Sequence, residues 1–360
     1  MEKTIAMLPG EGIGSEVLAQ AEKVLRSIGT RFGHRFTFVP IGGGLADPLS
    51  EERLERCLAA DSVLAGVGVG RGISQLSQEL NLKANMRPAL LYPQLAGASP
   101  LAPALVKQDI DLMLVQALAG IRALEQEEES PAPKEEEDAV RVARIAFRAA
   151  GMRRGGLVFV EQPGQPARNR CWRELLGKVA AGFPRVSLRI MGATAAAAEL
   201  LQDPARFDVI LADGVCGAVL AGEAAGLTGS AGMMSCAMIG NDRRGLYHPV
   251  LGPSPDMAGQ NLANPVGAVY AGALLLKYAF DLAEECAAIE AAVQRVLDDG
   301  YRTADIMTHR CRLVSCDCFG DLIAAALTSP LLYRRVSRGI RDAGDSFAPL
   351  RRRVTGAAQL

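Results

Sequence analysis

TIAMLPGEGIGSE, residues 4–16, is the stretch on which the fold turns. Thr4–Leu8 is a short apolar run, the mark of a buried strand. Pro9-Gly10-Glu11-Gly12-Ile13-Gly14 is a glycine-rich turn. Ser15 is placed to cap the helix that follows, and Glu16 lies in a first turn whose dipole favours negative charge. Val17, Leu18, Ala21, Val24, Leu25 and Ile28 then fall on one helical face. A glycine turn between a strand and a helix lets backbone amides approach a phosphate-bearing ligand. The same glycines also serve turn geometry alone.

Working outward, Phe36–Pro40, Ser62–Val69, Asp111–Val115, Gly156–Val160, Val186–Met191 and Phe207–Leu211 read as further strands. Ser50–Ala60, Ala139–Ala150, Asn169–Ala181 and Ala193–Leu201 read as helices. This alternation predicts an α/β protein. With 49% hydrophobic and only 5% aromatic residues, the chain of 360 suits small-residue helices packed on a sheet better than a sandwich. A net charge of −1 gives no overall bias toward nucleic acid or membrane surfaces. No apolar run is long enough to span a bilayer, so no membrane partner is expected. The N-terminus enters a strand directly instead of reading as a signal peptide, which makes a cytoplasmic location the expectation.

Three stretches break the pattern. Glu125–Asp138, EQEEESPAPKEEED, combines charge and proline and reads as an acidic loop. Tyr333–Arg353 carries seven arginines with no aromatic interleaving and reads as a solvated tail or surface helix, nucleic acid being the lesser reading. His309, Cys311, Cys316 and Cys318 form the densest soft-ligand cluster among eight cysteines. Their spacing matches no standard zinc pattern, so a strand-turn with ordinary thiols is expected.

Several separated segments resemble one family in order. Residues 8–16 resemble its G-D-G-I-G-P-E opening, and Ala84-Asn85-Met86-Arg87-Pro88-Ala89 its A-N-L-R-P-A segment. Leu227–Met233, Arg244–Gly252 and Ser254–Pro265 resemble its L-T-G-S-L-G-M, R-G-L-Y-E-P-V-H-G and S-A-P-D-I-A-G-K-G-I-A-N-P segments. Gly300–Ile306 and Gly320–Ile323 are similar to its C-terminal end. The chain is thus identified as similar to the isocitrate/isopropylmalate dehydrogenases, nearest the isopropylmalate branch of leucine biosynthesis. That resemblance implies an α/β, two-domain isopropylmalate dehydrogenase-like fold with a central cleft and a homodimer. It implies a cofactor-side domain of residues 1–98 plus 252–330, and a dimerisation and substrate-side domain of residues 99–251 containing the acidic loop. Residues 331–360 are left as an Arg-rich extension.

The family oxidises a malate-like acid with NAD or NADP and a Mg2+ or Mn2+ ion held by aspartates. Carried over by motif, the three metal positions hold Gly192, Ala218 and Gly222. None has an oxygen-bearing side chain, so the metal is expected to be absent. The family's proton-handling lysine and tyrosine fall on Gln162 and Arg122, leaving no catalytic residue in place. Of three substrate arginines only Arg87 remains; the other two positions hold Gly97 and Gln116. Asp213 and Glu223 lie near the metal positions in sequence but not at them. The cofactor side is better kept. Gly10, Gly12, Ile13 and Gly14 stand in the glycine turn, Asp256 stands where NAD users bind the ribose, and Asn264 and Asp305 keep their motif positions. Leu251 and His248 replace a histidine and a glutamate.

The resulting expectation is a degenerate member that has lost metal-dependent oxidative decarboxylation. It is expected to keep binding of NAD, another nucleotide or a small anion. Two alternatives stand beside it: an active NAD-dependent enzyme with an altered site, and a regulatory or interaction subunit.

Overall fold

The computed structural model describes residues 1–118 and 133–342. Along the chain run β1 (Glu2–Leu8), α1 (Gly14–Phe32), β2 (Arg35–Pro40), α2 (Glu51–Leu58), β3 (Ser62–Ala65), α3 (Arg71–Glu79), β4 (Ala84–Leu90) and β5 (Asp111–Ala117). Next come α4 (Pro133–Gly151), β6 (Gly156–Glu161), α5 (Pro166–Ala180), β7 (Ser187–Gly192), α6 (Ala193–Gln202), β8 (Val209–Asp213) and α7 (Gly214–Leu227). The last third holds β9 (Ser235–Ile239), β10 (Gly245–Pro249), α8 (Val266–Ala279), α9 (Ala283–Asp298), β11 (Tyr301–Arg302), β12 (Arg312–Leu313), α10 (Cys316–Thr328) and α11 (Pro330–Asp342). The class is α/β, as the alternation predicts.

The chain forms two compact units. Of the described residues, unit 1 takes Met1–Leu76, Gly229–Cys236 and those from Arg244 to Asp342; unit 2 takes those within Ser77–Thr228 and Ala237–Arg243. In unit 1 the strand order is β2-β1-β3-β10, all parallel. In unit 2 it is β9-β4-β5-β8-β6-β7, with β5, β8, β6 and β7 parallel and β4 antiparallel to both its neighbours. Residues 77–98, read from sequence with the first domain, group with unit 2, because β4 pairs with β5 over seven positions from Ala84↔Ala117 to Leu90↔Asp111. The short stretches 229–236 and 244–251, read with the second domain, group with unit 1, where β10 pairs with β3.

Each unit buries continuous apolar strands, which is what parallel sheets covered by helices require. Ile5, Ala6, Met7 and Leu8 of β1 and Val63, Leu64 and Ala65 of β3 are buried, as is the apolar face of α1 through Val17, Ala21, Val24 and Ile28. In unit 2, Leu157–Val160 of β6 and Val209–Ala212 of β8 are buried beside Phe147 and Trp172.

Five local expectations are corrected. The first helix begins at Gly14 with Ile13 as its N-cap, so Ser15 lies within the first turn and caps nothing. Strand β3 ends at Ala65, where Gly66 turns the chain alongside the glycine loop; a Cβ there would lie 2.2 Å from the Gly14 oxygen. Strand β8 starts at Val209, because a single 3₁₀ turn over Pro204–Arg206 occupies the chain before Phe207. Residues 133–138 of the expected acidic loop are the first turns of α4, and Asp138 is buried against Lys83 at 2.8 Å. Residues 125–132 lie outside the described residues. Cys316 and Cys318 open α10, not a strand, since the chain turns from β12 directly into that helix.

Candidate active site and cofactor loop

The residues singled out on the substrate side meet at the carboxyl edge of the unit 2 sheet. Pairing places Gln116 opposite Ala212, Ala117 opposite Asp213, Val160 opposite Ala212 and Glu161 opposite Gly192. The ends of β5, β8, β6 and β7 are therefore level. Antiparallel β4 starts at the same edge, so Arg87, two positions past the Asn85↔Gln116 pair, approaches from its other end. Carboxyl ends of parallel strands are where ligands of open α/β sheets bind.

The side chains at that edge are engaged with one another. Arg87 Nη1 donates to Gln116 Oε1 at 2.8 Å, and Gln116 Nε2 donates to the Gly214 carbonyl at 2.9 Å. The glutamine thus ties the retained arginine to the start of α7. Ala218 and Gly222 lie on the exposed side of α7 with Val215 and Val219, which are 69% and 61% exposed. That helical face is apolar. Gly192 is exposed at the end of β7, with nothing within 4 Å of a Cβ built on it. Gly97 is exposed after a 3₁₀ turn at Pro93–Leu95. Gln162 follows β6, its backbone locked to Asn169 in both directions, while its Oε1 is buried with no hydrogen-bond partner among the described residues. Arg122 lies outside the described residues.

Two carboxylates end strands at this edge, and both are paired. Glu161 accepts from Arg173 Nε and Nη2. Asp213 is 6% exposed, and its Oδ2 accepts from Arg168 Nε at 2.7 Å and from Trp172 Nε1 at 3.1 Å. Arg168 Nη2 contacts the same oxygen. Arg168 and Trp172 are four residues apart on α5, so one helix face delivers both donors. Glu223, the other nearby acid, has its carboxyl pushed above the usual range by burial. Burial likewise raises the Cys216 thiol, with Asp213 adding and Arg168 opposing. A hard divalent cation asks for about six oxygen ligands. The residues here do not fit one: the three expected positions carry no donor, and Asp213 is neutralised by a guanidinium. No group of three or more metal-binding side chains occurs among the described residues, and this includes the His309–Cys318 cluster.

In unit 1 the glycine turn follows β1 and packs on two other loops at the carboxyl edge. Ile13 N donates to Pro253 O at 2.9 Å, and Glu11 Oε1 accepts from Leu45 N and Ala46 N. Gly12 has φ +60°, and a Cβ there would sit 1.7 Å from Pro253 O. Only glycine allows that contact, so turn packing accounts for this residue without a ligand. Glu16 reaches from α1 to accept from Asn261 N at 3.1 Å and from Gly259 N. The loop bearing Asp256 is thereby held at both ends against the glycine turn, and Asp256 itself is exposed. Asn264 and Asp305 face each other instead: Asn264 Nδ2 donates to Asp305 Oδ2 at 3.0 Å, and Thr303 Oγ1 donates to Asp305 Oδ1 at 2.6 Å. Asn264 is buried. His248 is buried with Nδ1 2.8 Å from Pro249 O, and Leu251 lies just beyond β10.

The isocitrate/isopropylmalate dehydrogenase family model matches residues 4–323. The chain belongs to the isocitrate/isopropylmalate dehydrogenase family. It is 38% identical to a 3-isopropylmalate dehydrogenase of Pseudomonas fluorescens, covering 91% of this chain and 99% of that one. It is 39% identical to one of Oleidesulfovibrio alaskensis, covering 90% and 99%. Among solved structures, an isocitrate dehydrogenase from Methylococcus capsulatus superposes with a TM-score of 0.74 at 24% identity, covering 91% of this chain and all of that one. A β-decarboxylating dehydrogenase from Thermococcus kodakarensis gives 0.69 at 27%, covering 90% and 96%. No described helix of this family member is long and apolar enough to cross a membrane.

Sequence reading found Gln116, Gln162, Gly192 and Arg87 as separate departures or survivals; the sheet edge brings them together. It missed Arg168 and Trp172. The available signal was an aspartate ending a buried strand, with Arg and Trp spaced i, i+4 on a neighbouring helix.

Proposed function

We propose that this family member does not carry out metal-dependent oxidative decarboxylation and instead binds NAD or a related adenine nucleotide through unit 1. The observation that supports the first half is the state of Asp213. At the unit 2 edge Asp213 is neutralised by Arg168 and hydrogen-bonded by Trp172, Glu161 is taken by Arg173, and Gly192, Ala218 and Gly222 supply no other ligand. Gln162 cannot exchange a proton near neutral pH, and Arg87 is held by Gln116. The second half rests on the exposed Asp256, carried on a loop pinned to the glycine turn. Its charge favours a ribose diol over a 2′-phosphate. When bound, NAD would supply a hydride acceptor; this chain's residues supply binding and orientation only. A homodimer through unit 2 and a cytoplasmic location belong to the same reading.

Two measurements test it. Purified protein with NAD, Mg2+ and 3-isopropylmalate is expected to produce no NADH above the no-enzyme rate; steady turnover would overturn the first half. Calorimetric titration with NAD and NADH is expected to give saturable heat that Asp256→Ala weakens. Absence of heat and of thermal stabilisation at millimolar cofactor would overturn the second.

A further inference from the structure

In unit 1 the basic C-terminal segment helps to build a cavity whose lining includes none of the residues assigned to the cofactor loop. Its volume is about 510 Å³, and its walls carry Arg295, Arg310, Arg312, Arg334 and Arg341, with Asp299 as the one acidic residue. Three pieces of unit 1 make it: the end of α9, the turn entering β12, and α11. On α11 the lining positions Tyr333, Arg334, Ser337 and Arg341 repeat at helical spacing, so a single face is turned inward. Arg335 and Arg338 lie on the same helix, are exposed, and do not line the cavity.

This charge is not paired off among the described residues. Among the described residues, no ion pair joins any of the five arginines to a carboxylate. Asp299 already accepts a hydrogen bond from Tyr333 at 2.6 Å. Five guanidinium groups around one concavity repel each other and focus a positive field into it. Planar guanidinium groups match phosphate oxygens in pairs, which makes arginine the side chain of choice for such anions. The volume lies in the range of small-molecule sites, roughly 300–1,000 Å³. A single-stranded polynucleotide would in addition use exposed ring faces for stacking. Here Tyr301 and Tyr333 are buried, Arg295 lies 4.3 Å over the Tyr333 ring, and Arg312 lies 5.9 Å over Tyr301.

We infer that this cavity is a second, separate binding site, for a small molecule carrying two or more phosphate groups. The site does not depend on the reading of the cofactor loop.

Calorimetry on the full chain with inorganic tripolyphosphate as the probe tests it. One saturable site per chain is expected, with orthophosphate binding far more weakly. Arg310→Gln/Arg334→Gln should weaken tripolyphosphate by at least about tenfold while circular dichroism stays unchanged. Arg335→Gln/Arg338→Gln removes the same charge outside the cavity and should leave affinity within about twofold. No saturable heat would overturn the inference, as would equal weakening in both double variants, which would signify non-specific attraction. Tighter binding of an oligonucleotide of matched charge, lost in the first double variant, would overturn the small-molecule assignment. NAD binding, measured on the same Arg310→Gln/Arg334→Gln protein, should be unchanged; its loss would merge the two sites and refute their separation.

Discussion

Replacing Asp213 by Asn removes one negative charge from beneath Arg168 and keeps a side-chain oxygen for the Trp172 indole. The guanidinium side chain is 13% exposed and the carboxylate 8%, so neither is well hydrated. Leaving such a cation without its partner costs about 3–5 kcal/mol. Asp213→Ala also deprives the indole N–H of its acceptor, a further loss of about 1–3 kcal/mol that overlaps the first. For a unit of this size, the Asn variant should therefore melt on the order of 10 °C lower. The assay is built in. Trp172 is the only tryptophan of the chain and donates to Asp213, so intrinsic fluorescence during urea or thermal unfolding reports on this pair. Arg168→Met/Asp213→Leu removes both charges and should recover most of the loss. Magnesium gives the functional arm. A ligand that binds only the native state stabilises it increasingly as its concentration exceeds its Kd; with no Mg2+ site, about 10 mM Mg2+ should leave the wild-type melting point within about 1 °C. Two results would refute the reasoning: an Asn variant as stable as wild type, or a clear Mg2+-dependent rise.

Other expectations follow from single contacts. Gly12→Ala should cost about 2 kcal/mol or more and abolish NAD heat, because its Cβ would meet Pro253 O at φ +60°; chemical denaturation and titration read both. Asp138→Ala should lower stability by about 3–5 kcal/mol by stranding Lys83, whereas an acidic loop would tolerate the change; a urea midpoint decides. Ellman's reagent at pH 8 should leave buried Cys57, Cys236, Cys286 and Cys316 unreacted in native protein and titrate them in urea. Burial pushes the Cys316 thiol from its ordinary 9.0 to about 12, the nearby Glu16 and Asp317 adding to the rise. A raised value means the folded state holds the proton longer. Its contribution is therefore complete below pH 9 and is lost as pH climbs toward 12, and Cys316→Ser should flatten the fall of the urea midpoint there.

Strand and helix periodicity was legible because the central parallel strands, β3, β6 and β8, are buried on both faces and are apolar almost throughout. Long-range partners lay beyond local rules. Those rules place Glu16 in the first turn of α1, where it lies, and Asp138 in a solvated loop, where it does not. The first accepts from the amide of Asn261, 245 residues away, and the second from Lys83, 55 residues away. A window of sequence carries no trace of either partner. The same holds for α11, whose arginines read as a solvated surface until their packing against α9 and the turn before β12 shows which of them face inward.

By itself the sequence determined the class, the glycine turn, the family, and the residue types at positions 162, 192, 218 and 222. A side chain without a donor atom lacks it in any fold. What only the tertiary structure decided was the use of the groups that remain. Gln116 ties Arg87 to α7, Arg168 and Trp172 occupy Asp213, and Glu16 holds the loop that carries Asp256. Those outcomes depend on which charges become neighbours once water is excluded, and strand register and helix packing set that between residues far apart in the chain.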